Sequence, residues 1–154
     1  MKTIQQEDFT QSLYILFKEA FEGMQGEVGN IFLDRHVGIF STLGSIEYDK
    51  ASMEIGNTTI AAQCEHVRFY LDFLSNYMSE NFTMVDWKDS WKTKTVSDEE
   101  WTALRGQLQK TYQKVTDTFN EVETWNDFKI SGALGILAHT AYHLSAIRQI
   151  LKFI

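Results

Sequence analysis

Proline is missing from all 154 residues of this chain. Proline interrupts a helix more sharply than any other residue, because it removes a backbone donor and clashes with the preceding turn. A chain without it is free to run long, unbroken helices, and the apolar spacing uses that freedom. Phe9, Leu13, Leu16, Phe17, Ala20 and Phe21 make one stripe at helical period, with Gly23 placed to cap it. A second helix is expected from about Asn57 to Met78, with Asn57 as N-cap and Ile60, Val67, Phe69, Tyr70, Phe73, Leu74 and Tyr77 along its length. The third starts on the strongest signal in the chain. Ser97 and Glu100 form a capping box, and Trp101, Leu104, Leu108, Tyr112, Val115, Phe119 and Val122 follow at steps of three and four. The fourth runs from about Ile130 to Lys152 and is apolar nearly all round, so it needs neighbours on several sides.

Two connections are long. The first contains FLDRHVGIFSTLGSI and YDKASMEI, where Phe32, Leu33, Val37, Phe40, Leu43 and Ile46 call for burial in one or two short helices. The second, MVDWKDSWKTKT, carries Trp87 and Trp91 and is expected to fold over one end of the helices. No repeat or linker divides the chain. The expectation is an all-α fold: one domain over residues 1–154, a four-helix bundle with a long crossover between the first and second helices.

Composition narrows the function. The net charge is −7 and the 14 basic residues are scattered among acids, so a nucleic-acid partner is disfavoured. No apolar run is long enough for a membrane span, and MKTIQQEDFTQ lacks the core of a signal peptide, which points to the cytoplasm. A single cysteine, Cys64, forms no internal disulfide and fits a reducing compartment; on its helix it points away from His66 and reads as a small buried hydrophobe.

Histidine is the informative residue. There are four, and two of them, His139 and His143, are one helical turn apart in LAHTAYHLSAIRQIL, on a side shared with Ile136, Ala146, Ile147 and Ile150. His66 has a similar setting in IAAQCEHVRFYLDFL, beside Ala62, Gln63, Phe69, Tyr70 and Phe73. Imidazoles in apolar company need partners. They are either core histidines bonded to carbonyls and acids, or three neutral nitrogen ligands from two helices converging on one ion with an open position left over. His36, in LDRHVG, reads as a surface or turn residue. Gly23, Gly26 and Gly29 recur every third residue without the lysine or strand of a phosphate loop. Trp87, Trp91, Trp101 and Trp125 read as core or lid anchors. Glu65, Asp86 and Asp89 are candidate acceptors for a ligand imidazole, while Tyr70 and Gln63 are placed to touch metal-bound water.

The pairing of NTTIAAQCEHVRFYLDFL with ILAHTAYHLSAIRQIL resembles the DinB/YfiT-like family of damage-inducible helical metalloproteins. The likeness follows the helix order over nearly the whole chain, including the crossover and the DWKDSW loop, and is most specific at the histidines. It implies a four-helix bundle in which one histidine of the second helix and an HxxxH of the last bind a divalent metal; the matching residues are His66, His139 and His143. It departs after the last histidine, where members often read H-x-G-Q-I and this chain has Ser145 and Ala146 before Ile147. That change bears on the substrate more than on the metal.

A three-histidine site with an open position is a Lewis acid. Imidazole suits zinc, nickel, copper and iron; affinity order favours copper, so supply decides, and the expectation is zinc or nickel with iron behind them. Some family members are associated with low-molecular-weight thiols such as bacillithiol or mycothiol, so the resemblance implies a small-molecule substrate, a thiol S-transferase and a homodimer. Two alternatives stay open: a metal-dependent hydrolase, and a non-catalytic, stress-related bundle acting through dimerisation or partner binding.

Overall fold

The computed structural model describes residues 3–24, 30–81 and 83–154. Among these residues there are six α-helices and no strand: α1 (Gln6–Glu22), α2 (Ile39–Gly44), α3 (Tyr48–Ala51), α4 (Ile60–Met78), α5 (Asp98–Glu121) and α6 (Asp127–Ile150). A 3₁₀ helix, Trp87–Trp91, lies between α4 and α5. The fold is all-α, and no helix is long and apolar enough to cross a membrane among the described residues.

α4 is the hub. It packs most extensively against α5 and α6, and it also carries the 3₁₀ helix; α1 closes the assembly against α6, α2 and α5. The α5 stripe is buried from Trp101 to Phe119, and its capping box forms as the sequence requires. Ser97 Oγ accepts from Glu100 N at 3.2 Å, and Glu100 Oε2 accepts from Ser97 N at 2.7 Å. Phe17, Phe21, Phe40, Tyr112 and Phe119 stack into one aromatic cluster joining α1, α2 and α5.

Two helix boundaries differ from expectation. α4 begins at Ile60, not Asn57, because Thr59 is the N-cap and its hydroxyl accepts from Ala62 N at 3.0 Å. Asn57 instead sits at φ 67° in a turn closed by the Ile55–Thr58 bridge. The last helix begins earlier than Ile130, since Asn126 caps it through Lys129 N at 3.0 Å. It is also covered on fewer sides than its composition suggested: Leu134 and Tyr142 are 48% and 71% exposed on one stripe.

The long connection after α1 contains two short helices, as its apolar residues demand, and it is fastened at two points. Glu19, fully buried on α1, accepts from the backbone N–H groups of Ile31, Phe32 and Leu33 at 2.8–3.1 Å. Gly23 caps α1 at φ 69°, and Gly38 lies so close that a Cβ there would come within 2.5 Å of Gly23 N. Gly26 and Gly29 lie outside the described residues.

Candidate metal centre

α4 and α6 pack against each other more extensively than any other pair of helices, and at one end a Cβ on Gly132 would come within 2.7 Å of the Met78 side chain. The same packing brings His66 of α4 against His139 and His143 of α6. His139 Nε2 lies 3.0 Å from His66 Nε2 and 3.1 Å from His143 Nε2. One ligand atom from each of the three rings falls within 4.8 Å of the other two. His66 and His143 are buried, and His139 is half-buried.

Two of the rings are oriented from behind. Ser90, in the 3₁₀ helix, gives its proton to Trp87 O at 2.7 Å, so toward His66 Nδ1 at 2.7 Å it is an acceptor. His66 therefore carries its proton on Nδ1 and turns an Nε2 lone pair to the centre. Gln63 does the same for His143. Its amide nitrogen donates to Thr58 Oγ1 at 3.0 Å, which leaves Oε1 to accept from His143 Nδ1 at 2.6 Å. His139 has no such anchor: its Nδ1 is buried without a hydrogen-bond partner, and the ring is held by stacking on Tyr70 at 3.5 Å between centroids. With all three rings neutral, one proton on His139 Nε2 is shared between the two lone pairs that face it. Its Nδ1 is then a bare acceptor, which costs less when unpaired than a bare donor.

Burial keeps the rings neutral. It holds His139 down to about 3, with the neighbouring His143 and His66 adding to the effect, and His143 down to about 4, with His66 adding. His66 is lowered by burial as well. Protonating the cluster would place like charges together in a poorly solvated space.

The same geometry suits a cation. Three nitrogens held about 2.0–2.1 Å from one ion, with angles of about 90–109° between them, lie about 2.8–3.4 Å apart. The separations from His139 to His66 and to His143, 3.0 and 3.1 Å, fall in that range, and the three ligand atoms together lie within 4.8 Å of one another. Two lone pairs aimed inward by Nδ1–H anchors, and a third that faces inward once His139 moves its proton from Nε2 to Nδ1, form a donor set for a divalent ion.

Aromatic rings cover the cluster. Trp91 stacks on His66 at 3.9 Å, Tyr142 meets the edge of His143 at 5.0 Å, and Trp87 packs over Phe69, Tyr70 and Phe73. The Trp87–Trp91 segment thus lies along the α4 flank at the histidines. A cavity of about 240 Å³ opens alongside, and two of its lining residues, Gln63 and Trp91, are those that touch His143 and His66.

The other candidates separate cleanly. Gln63 holds a histidine instead of reaching into the open position, and Tyr70 acts through its ring face. Glu65 pairs with Arg68 at 2.7 Å, Asp86 caps the 3₁₀ helix through Lys88 N, and Asp89 pairs with Lys92, so none of the three acids serves a site imidazole. His36 is exposed in a turn at φ 62°. Cys64 is fully buried and its thiol is pushed far up by that burial. Trp101 is core, donating to Ile46 O at 2.7 Å; Trp125 is half-buried against Phe9 and Phe119. Ser145 is exposed and Ala146 has no polar side chain; the amide beside His143 is that of Gln63 on α4. Ser90 was missed by the sequence reading. A serine four residues after an aspartate that can cap a short helix has no signal of its own.

No family model matches the chain, and no curated protein or solved structure matches it.

Proposed function

We propose that this chain is a divalent-metal protein of the DinB/YfiT-like kind, with α1, α4, α5 and α6 as its four-helix bundle and residues 23–59 as the crossover. His66, His139 and His143 are its ligands. The observation that carries this reading is the convergence of three imidazole nitrogens, two of them turned inward by Nδ1–H bonds to Ser90 and Gln63. Zinc or nickel suits this all-nitrogen donor set, with iron next.

A bound ion supplies Lewis acidity at its open position, enough to ionise a thiol near neutral pH. The chain's own residues do the rest. Ser90 and Gln63 hold two rings in the ligating tautomer, Trp91 and Tyr70 keep water from two ring faces, and low proton affinity keeps all three rings available. The activity proposed is transfer of a low-molecular-weight thiol to an electrophilic small molecule; cytoplasmic residence and a homodimer belong to the same proposal. The test is a thiol-conjugation assay on zinc- or nickel-loaded protein with a chromogenic electrophile. A rate lost in His139→Ala, with helicity retained, supports the reading; no thiol-dependent rate above background refutes it.

One observation favours a non-catalytic protein instead. Trp91 lies flat on His66, and His66 and His143 are only 8% and 4% exposed. If the assay fails while metal binds, a structural metal in a stress-related helical protein is the reading left standing.

A further inference from the structure

The cavity beside the histidines is built from three segments: the turn at residues 54–58, the first turn of α4, and the strap after the 3₁₀ helix. The strap is fixed in place. Thr59 Oγ1 donates to Lys94 O at 2.7 Å, and Ser52 Oγ bonds Val96 O at 3.3 Å and Val96 N at 3.0 Å. Gly56 and Asn57 both have positive φ, which folds the turn back tightly against α4.

Two opposite charges lie on this cavity. Glu54 and Lys94 are exposed, and neither forms an ion pair or a side-chain hydrogen bond among the described residues. The lining also includes the Thr58 hydroxyl. Thr58 Oγ1 accepts from Gln63, so its own proton remains free to donate. The indole of Trp91, 38% exposed, also lines the cavity. A simple anion would be repelled by Glu54 and a simple cation by Lys94, whereas a molecule carrying both charges satisfies each. A volume of about 240 Å³ is below the range of drug-sized pockets, which restricts the occupant to a few heavy atoms.

We propose that the cavity binds a small zwitterion of the α-amino-acid type, with its carboxylate toward Lys94 and the first turn of α4 and its ammonium toward Glu54. Its occupancy is passed to the histidines along two contacts: Thr58–Gln63–His143, and Trp91 on His66. The coupling rests on the metal reading above; the binding does not.

The probe is L-serine, titrated into the full chain, metal-free and zinc-loaded, while the Trp91 indole and Gln63 amide signals are followed by NMR. Saturable shifts of both signals are expected, weakened at least tenfold in Lys94→Gln and in Glu54→Gln, with zinc stoichiometry unchanged in both variants. Acetate and methylammonium should bind at least tenfold more weakly than L-serine. Saturable L-serine binding by a protein that takes up no zinc still supports the cavity and removes only the metal reading. Absence of saturable shifts in both forms overturns the proposal, as does binding that survives loss of both charges.

Discussion

Gln63 offers the sharpest perturbation, because its amide is the whole of the anchor behind His143. Gln63→Leu keeps an aliphatic stem, one bond shorter, and removes both hydrogen bonds, the 2.6 Å one to His143 Nδ1 and the 3.0 Å one to Thr58. The first loss strands a buried imidazole N–H, which costs about 1–3 kcal/mol. In a domain of this size that lowers the melting temperature of the metal-free protein by about 2–12 °C. The ring is then free to move its proton to Nε2 and bond another acceptor, so an ion must recover the ligating tautomer as it binds. Loss of such an outer partner weakens metal affinity about 10–100-fold, equivalent to about 1.4–2.7 kcal/mol. Competition against a chromophoric chelator at fixed pH reads the affinity, and calorimetry reads the stability. Gln63→Glu restores an acceptor and adds a negative charge behind the ring, so it should bind the ion at least as tightly as the parent. A folded Gln63→Leu protein with parental metal affinity would refute the claim that this amide sets the tautomer of His143.

Three further outcomes follow from the same contacts. Glu19→Ala removes a buried carboxylate from three backbone donors and should cost about 3–5 kcal/mol in urea unfolding, with a smaller loss for Glu19→Gln; a cost under about 1 kcal/mol would mean the connection is held elsewhere. Gly38→Ala drives a Cβ against the backbone of Phe21, Glu22 and Gly23 and should cost about 3 kcal/mol, whereas a neutral effect would show that the α1 end and the connection can separate freely. The pH dependence has a definite sign: the three site histidines have lowered affinity for protons in the folded state, so below about pH 6.5 the unfolded chain takes up protons that the folded chain refuses. Stability of the metal-free protein is therefore full above about pH 6.5 and falls as pH drops toward 4; His139→Gln should flatten part of that slope in calorimetry, and a flat parent profile would contradict it.

Much of the architecture could be read without coordinates because local chemistry and burial agree there. Ser97 and Glu100 announce α5, and the stripe from Trp101 to Phe119 buries as its period demands. The three histidines were legible for a similar reason: polar rings on apolar helical faces have few places to go but toward one another. What escaped depends on neighbours remote in sequence. Glu19 carries no signal of burial in the sequence, and only the folded connection supplies the three N–H groups that make its burial tolerable. Ser90 finds His66 across 24 residues. Glu65 looked apt as an imidazole acceptor next to His66 in the chain, yet on a helix it faces away and meets Arg68. Asn57 was the expected cap of α4 and Thr59 takes that place, because both side chains can accept and the turn closed by Ile55 and Thr58 puts Asn57 outside the helix.

The most direct measurement is elemental analysis of untagged protein after incubation with zinc or nickel and exhaustive dialysis, beside His66→Ala prepared identically. One equivalent of metal per chain in the parent, with most of it lost in the folded variant, is the predicted result. A parent that retains no metal, or a variant that retains as much as the parent, would contradict the three-histidine centre.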